Sequence, residues 1–198
     1  MDKILVFFFI FLSCDVLFSQ NINEYNKILK IENLPFNKHE VRIYSKQATS
    51  AGLEMFRLSQ DDMENWTCEL YKTESTGNQQ IAIQKHYTNS PKNIDLVWVK
   101  ILDTDLLHLP QWKSIQYKLE KKNKEYFTED GEIMSSKSSS TILDGVSYYV
   151  KIKNDKKENQ FKYDNPESYL KIYPSVDELI SFKELLDIVR TEFKVFDK

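Results

Sequence analysis

The residues able to do chemistry are few: three histidines, one cysteine outside the first apolar stretch, and short acidic clusters. Cys68 with His39 or His86 would supply a thiol and an imidazole, the parts of a nucleophile and its base. Cys68, however, lies between Trp66 and Leu70 in an alternating segment. That places it on the inward face, where a thiol is inert core filling. His39, His86 and His108 are spread along the chain, with neither an H-x-x-x-H nor an H-x-H spacing, so no zinc site is expected. Asp61, Asp62 and Glu64 form one acidic cluster, and Asp103 and Asp105 another. A calcium loop also needs oxygens at alternate positions, a turning glycine and a closing glutamate. Neither cluster has them, and both read as solvated turns. Asn65-Trp66-Thr67 matches the glycosylation sequon, but Asn65 is better read as a turn residue. Gly52, Gly77, Gly131 and Gly145 are far apart, so no glycine-rich phosphate cradle is expected. These residues lead to no catalytic residue, no cofactor-binding residue, no metal ligand and no cofactor.

Aromatic side chains are the more informative group. Tyr44, Tyr71 and Tyr149 fall opposite the inward residues of their strands. Exposed, they would stack on sugars or anchor a protein partner. The expected reading is instead a second buried face, under a central helix or loops.

The elements that position these residues follow from periodicity. His39, Val41 and Ile43 alternate with Glu40, Arg42 and Tyr44, which predicts a strand. Leu53 to Ser59 follows, with Phe56 and Leu58 inward. Then come Trp66, Cys68 and Leu70, and a further strand at Ile81 and Ile83, with a turn at Thr76-Gly77-Asn78. Short turns between them give an antiparallel meander. Ile94, Val97, Trp98, Ile101 and Leu102 have helical spacing, with Ser90 as cap and Pro91 at the first position. The chain is expected to leave this helix extended through Leu106-Leu107-His108-Leu109-Pro110. Residues 113–132 are charged and weakly periodic, and residues 135–141 read as a serine-rich loop. Val146, Tyr148, Val150 and Ile152 make the clearest strand, with Phe161 and Tyr163 as hairpin partner. Ser175 and Glu178 predict a capping box. Leu179, Phe182, Leu186, Val189 and Phe193 form the apolar stripe of a helix over 176–194. Residues 21–38 read as a polar lead-in.

At the N-terminus, Lys3 precedes the unbroken apolar run Ile4 to Leu12. That run suits a signal sequence and is shorter than the ~20 residues of a membrane-spanning helix. Residues 1–19 are expected to be a signal peptide cut after Ser19, leaving residues 20–198 as a single domain. The alternative is a lipoprotein anchored at Cys14. Loss of Asp2, Lys3 and Asp15 moves the net charge from −3 to −2, so nucleic-acid binding is not expected. Cys68 would be the sole remaining cysteine, which precludes an intramolecular disulfide.

The run Leu143 to Ile152, then Phe161-Lys162-Tyr163, Asn165 to Tyr169 and Tyr173-Pro174-Ser175, resembles small uncharacterised exported proteins of Bacteroidetes-type bacteria. The segment Leu107-His108-Leu109-Pro110 is similar too. The resemblance covers about half the chain and implies fold and export, with no activity to carry over. The expected architecture is α+β: an antiparallel sheet meander with a central helix and a C-terminal amphipathic helix packed on it. The expected function is an exported, periplasmic or secreted, non-enzymatic protein- or glycan-binding domain, its partner unknown. The alternative is a carboxylate-dependent hydrolase of the cell envelope.

Overall fold

Alternation of apolar and polar residues builds most of the sheet. The computed structural model describes residues 22–50, 52–75, 81–88 and 90–196, with backbone alone at 75, 121–124, 137 and 139. The signal-peptide and Cys14 expectations, and the turn at 76–78, lie outside the described residues.

Strands β1 (His39–Gln47), β2 (Leu53–Gln60), β3 (Trp66–Ser75) and β4 (Ile81–Tyr87) form the expected meander. A hairpin of β7 (Val146–Asn154) and β8 (Lys157–Asp164) joins the other side of β1, so the sheet order is β4-β3-β2-β1-β7-β8. Val41, Ile43, Phe56, Leu58, Cys68, Leu70, Tyr148, Val150 and Ile152 face one way into the main core.

Two helices cover that face. Helix α2 (Ile94–Asp103) contributes Val97, Trp98 and Ile101. Its cap is Asn93, whose side chain accepts from the Leu96 amide at 3.0 Å, and not Ser90. The asparagine sits one residue before the first helical one, so it reaches the free amides that Ser90 cannot. Beyond α2 the chain does not run extended as expected. Asp105 adopts a positive φ of 60° and its carbonyl accepts from the His108 and Leu109 amides. The turn buries Leu106 and Leu109, whose carbonyls accept from Asn159 Nδ2 at 2.8 and 2.9 Å.

The C-terminal helix α5 (Asp177–Phe193) buries Leu179, Phe182, Leu186, Val189 and Phe193, as the stripe predicts, and Leu185 beside them. Phe193 packs on Phe56 with centroids 4.8 Å apart. The capping box does not form. Val176 is the N-cap and no side chain caps the helix. Val176 is buried in the core, and burying it fixes where the helix begins. Glu178, meant to reach back, instead accepts from Lys118 Nζ at 2.7 and 3.0 Å. Before α5 lies a short helix unforeseen in sequence, α4 (Pro166–Ile172), with proline in its first turn.

Two further corrections matter for function. Residues 22–29, within the segment read as a polar lead-in, are helical (α1). Ile22 and Leu29 are buried there, with Tyr25 and Ile28 packed alongside. The stretch read as a charged segment and a serine loop begins with helix α3 (Trp112–Ile115) and a 3-10 turn (Gln116–Leu119). It continues as a hairpin of β5 (Glu120–Glu129) and β6 (Glu132–Ser139). Asp130 and Gly131 both have positive φ, 51° and 83°, the requirement of the tightest two-residue hairpin turn.

Candidate functional site

None of the catalytic pairings considered in the sequence is assembled. Cys68 is buried on β3, and burial pushes its thiol up to about 11. His39 is occupied with Asn154 Oδ1 at 2.7 Å and His86 with Gln84 Oε1 at 2.9 Å. His108 contacts Asp105 at 2.7 Å, both more than half exposed, with no nucleophile at hand in that contact. Among the described residues, no group of three or more His, Cys, Asp or Glu could hold a metal ion. Asp61 organises its own loop, its carboxylate accepting from the Met63 and Asn65 amides at 2.9 and 2.8 Å. The Asn65 backbone bond holds that carboxyl below its usual range.

The second face of the sheet is buried, as the tyrosines suggest, but its cover is α1 and the residues after it. Tyr44 donates to Asn26 Oδ1 at 2.8 Å, and Tyr25 meets Tyr149 edge-on at 5.2 Å. Burial raises the phenol pKa of Tyr44, Tyr71 and Tyr149. These rings are therefore not a sugar platform.

Next to them lies a buried charge network that the sequence did not announce. Glu40 is 0% exposed. Its carboxylate accepts from the Asn37 amide at 2.8 Å, from Arg42 Nε at 2.5 Å, and from Arg57 Nε and Nη2 at 2.8 and 2.9 Å. Arg57 Nη1 donates to Glu69 at 3.0 Å, and Lys85 pairs with the other Glu69 oxygen at 2.6 Å. Arg42 also donates to the Leu34 and Pro35 carbonyls. Donors and acceptors are matched within the protein, which describes structural reinforcement of the sheet and leaves no cradle for an anion.

A cleft of about 390 Å³ opens where the C-terminal tail meets the ends of β1, β2, β3 and β7. Ser45, Glu54, Lys72, Tyr148, Arg190 and Phe196 line it. Its cations are already engaged: Lys72 with Glu54 at 2.9 Å, Arg190 with Glu167 at 2.8 and 3.0 Å. Glu74, also at its rim, accepts from Gln84 Nε2 at 2.6 Å. Carboxylates and cations committed to one another offer no free acid and base pair.

The β5–β6 hairpin is different in kind. It forms a two-stranded sheet separate from the large one. Its packing outside its own strands is chiefly on the 3-10 turn at its base. Every residue from Glu125 through Ser135 is exposed. Four of them are large apolar residues: Tyr126 at 74%, Phe127 at 47%, Ile133 at 77% and Met134 at 37% exposure. Phe127 lies directly opposite Met134, while Tyr126 and Ile133 share the other face. Exposed apolar residues are ordinary singly; a group of four on a bare hairpin is not. The signal for this arm was Asp130-Gly131 between two segments of similar length.

Compared with models of known protein families, with curated proteins and with solved structures, the chain matches none. Among the described residues, no helix is long and apolar enough to cross a membrane.

Proposed function

We propose that this chain is an exported, non-enzymatic binding domain whose contact element is the β5–β6 arm, and that it engages protein. The observation that carries this reading is the bare apolar arm: Tyr126, Phe127, Ile133 and Met134 exposed on a sheet that has two strands among the described residues. Such a sheet offers a partner two things at once. Ladder groups at its margins can extend into a further strand, and the apolar side chains supply burial. Ile133 and Met134 are aliphatic, and acidic residues surround them. That suits a protein surface better than a glycan, which favours open aromatic rings flanked by neutral hydrogen-bonding groups. The hydrolase alternative draws no support from the carboxylates, each of those near the cleft being tied to a cation or an amide.

The test is capture from native envelope and medium fractions with the wild-type chain and with the double variant Phe127→Ser/Ile133→Ser. The variant should keep the wild-type unfolding midpoint, because the arm packs little on the domain, and should lose the captured protein. Equal capture by both would overturn the reading. Mass spectrometry of the native chain in those fractions should show residues 1–19 absent; an intact Met1 would remove export from the proposal.

A further inference from the structure

We infer that the protein engaged by the arm presents a basic, apolar segment, which sets an arginine or lysine over Glu129 and Glu132 and a large apolar side chain against Phe127 and Met134. This names the partner chemistry of the contact element proposed above and rests on that reading.

The ladder divides the outer part of the arm into two unlike faces. Glu129 lies directly opposite Glu132, and Phe127 directly opposite Met134. Residues two apart on a strand share a face, so these four stand together on one side. Tyr126, Thr128, Ile133 and Ser135 make the other side, which carries no charge. Like charges directly opposite one another across a strand pair are destabilising. Asp130, in the turn between them, adds a third carboxylate, and all three acids are exposed. Among the described residues, no cation pairs with any of them. The large sheet meets the same problem from within: Arg42 lies opposite Arg57, and Glu40 bonds to both. At the arm's tip the opposed pair has no such mediator among the described residues, on a two-stranded hairpin that is marginal by itself.

The geometry states what would supply it. Directly opposite side chains start about 5 Å apart at Cβ. One guanidinium, with its fork of donors, can bridge that gap and bond to each carboxylate. Phe127 and Met134 follow two residues back along each strand, about 7 Å away. An extended partner segment running along the arm has the same interval between its own residues i and i+2. It must therefore carry a cation and a large apolar residue two apart. A neutral or acidic apolar surface docked here would take the carboxylates out of water without a counter-charge, a cost that outweighs the burial of Phe127 and Met134. Charge thus selects the basic surface among the proteins an apolar arm could meet.

The probe is a fluorescently labelled synthetic peptide in which threonine alternates with arginine and leucine in turn, so that arginine and leucine fall two apart. A second peptide has glutamine at every arginine position. Anisotropy titrations use the chain expressed from its full-length sequence and purified in the form the cell delivers. The arginine peptide should bind, more weakly as salt rises, and the glutamine peptide should bind less well. Glu129→Gln/Glu132→Gln keeps the shape of both side chains and removes their charge; it should raise the Kd for the arginine peptide about fivefold or more. Asp62→Asn/Glu64→Gln removes the same charge from an exposed turn elsewhere, and should leave that Kd within about twofold. Both variants should keep the wild-type unfolding midpoint. An arginine peptide that does not bind, that binds no better than the glutamine peptide, or that both double variants weaken equally would overturn the inference. Capture from the native fractions separates this failure from failure of the reading beneath it. A protein lost in Phe127→Ser/Ile133→Ser but kept in Glu129→Gln/Glu132→Gln would overturn the basic partner and leave the arm a contact element. Capture unchanged in both variants would overturn both.

Discussion

Arg57→Met is the perturbation that tests the buried face most directly. Arg57 on β2 lies opposite Arg42 on β1 and opposite Glu69 on β3. Two arginines facing each other across strands would repel. Glu40 prevents this by taking two bonds from Arg57 and one from Arg42. A carboxylate has about four acceptor sites, and Glu40 fills them with these three and the Asn37 amide. Methionine at 57 preserves much of the volume and removes all three of the arginine's bonds. Glu40 then keeps two donors at 0% exposure, and Glu69 keeps Lys85. Each carboxylate keeps a counter-charge, so what is lost is three buried charge-assisted bonds, and each acceptor site left unmet costs about 1–3 kcal/mol. Against a typical total of about 5–15 kcal/mol, that is a large loss. Urea melts followed by circular dichroism should show it as a lower midpoint at constant slope. Lys72→Met is the comparison, since its pair with Glu54 is about one-third exposed on each side; it should cost less than about 1 kcal/mol.

Acid supplies an independent arm of the same test. Burial alone pushes the Glu69 carboxyl up, but bonds and charge from Lys85 and Arg57 together outweigh it and hold the group below its ordinary 4.5. A carboxyl depressed in the folded state stabilises fully above the unfolded value. That contribution disappears as pH falls through the lower folded value. Arg57→Met removes one depressing cause, so the stability difference between wild type and variant should shrink as pH drops below 4.5. A cost below about 1 kcal/mol at neutral pH, or a difference that grows in acid, would refute the account of a dry, mutually satisfied network.

The C-terminal helix separates burial from capping. Leu186 is 0% exposed, so Leu186→Ala should cost about 2–5 kcal/mol in the same melts. Glu184→Ala on the exposed side and Ser175→Ala, now relieved of any capping role, should both stay within about 0.5 kcal/mol. Cys68, its thiol pushed up to about 11 by burial, should label slowly in the native protein near neutral pH and rapidly in denaturant; fast native labelling would place it at the surface.

Period two made the main core legible. Val41 and Ile43, Phe56 and Leu58, Cys68 and Leu70, Tyr148, Val150 and Ile152 all point inward as their spacing requires. The same rule could not say what covers the opposite face. Glu40, Arg42, Glu69 and Tyr71 alternate as residues of a solvated face would, yet all four are buried. Alternation reports that two faces differ in polarity. Whether the polar one meets water depends on a distant segment, here residues 22–36. That segment was hard to read because α1 is too short to be stable alone. Its buried Ile22 and Leu29 are separated by Asn23, Glu24, Asn26 and Lys27, so its helix is made by docking more than by propensity.

The arm was illegible for the converse reason. A half-buried strand shows an apolar face because a core selects one. Among the described residues nothing covers Glu125 through Ser135, so β5 and β6 carry lysine, glutamate and serine without period, and the serine run reads as a loop. What did survive is the turn: Asp130 and Gly131 adopt the positive φ values a two-residue hairpin demands. That requirement is local and holds whether or not the strands find a core. Elements specified by their own turn chemistry can thus lie hidden among elements specified by burial. An element of that sort leaves Tyr126, Phe127, Ile133 and Met134 exposed, which is why the proposed contact is placed on it.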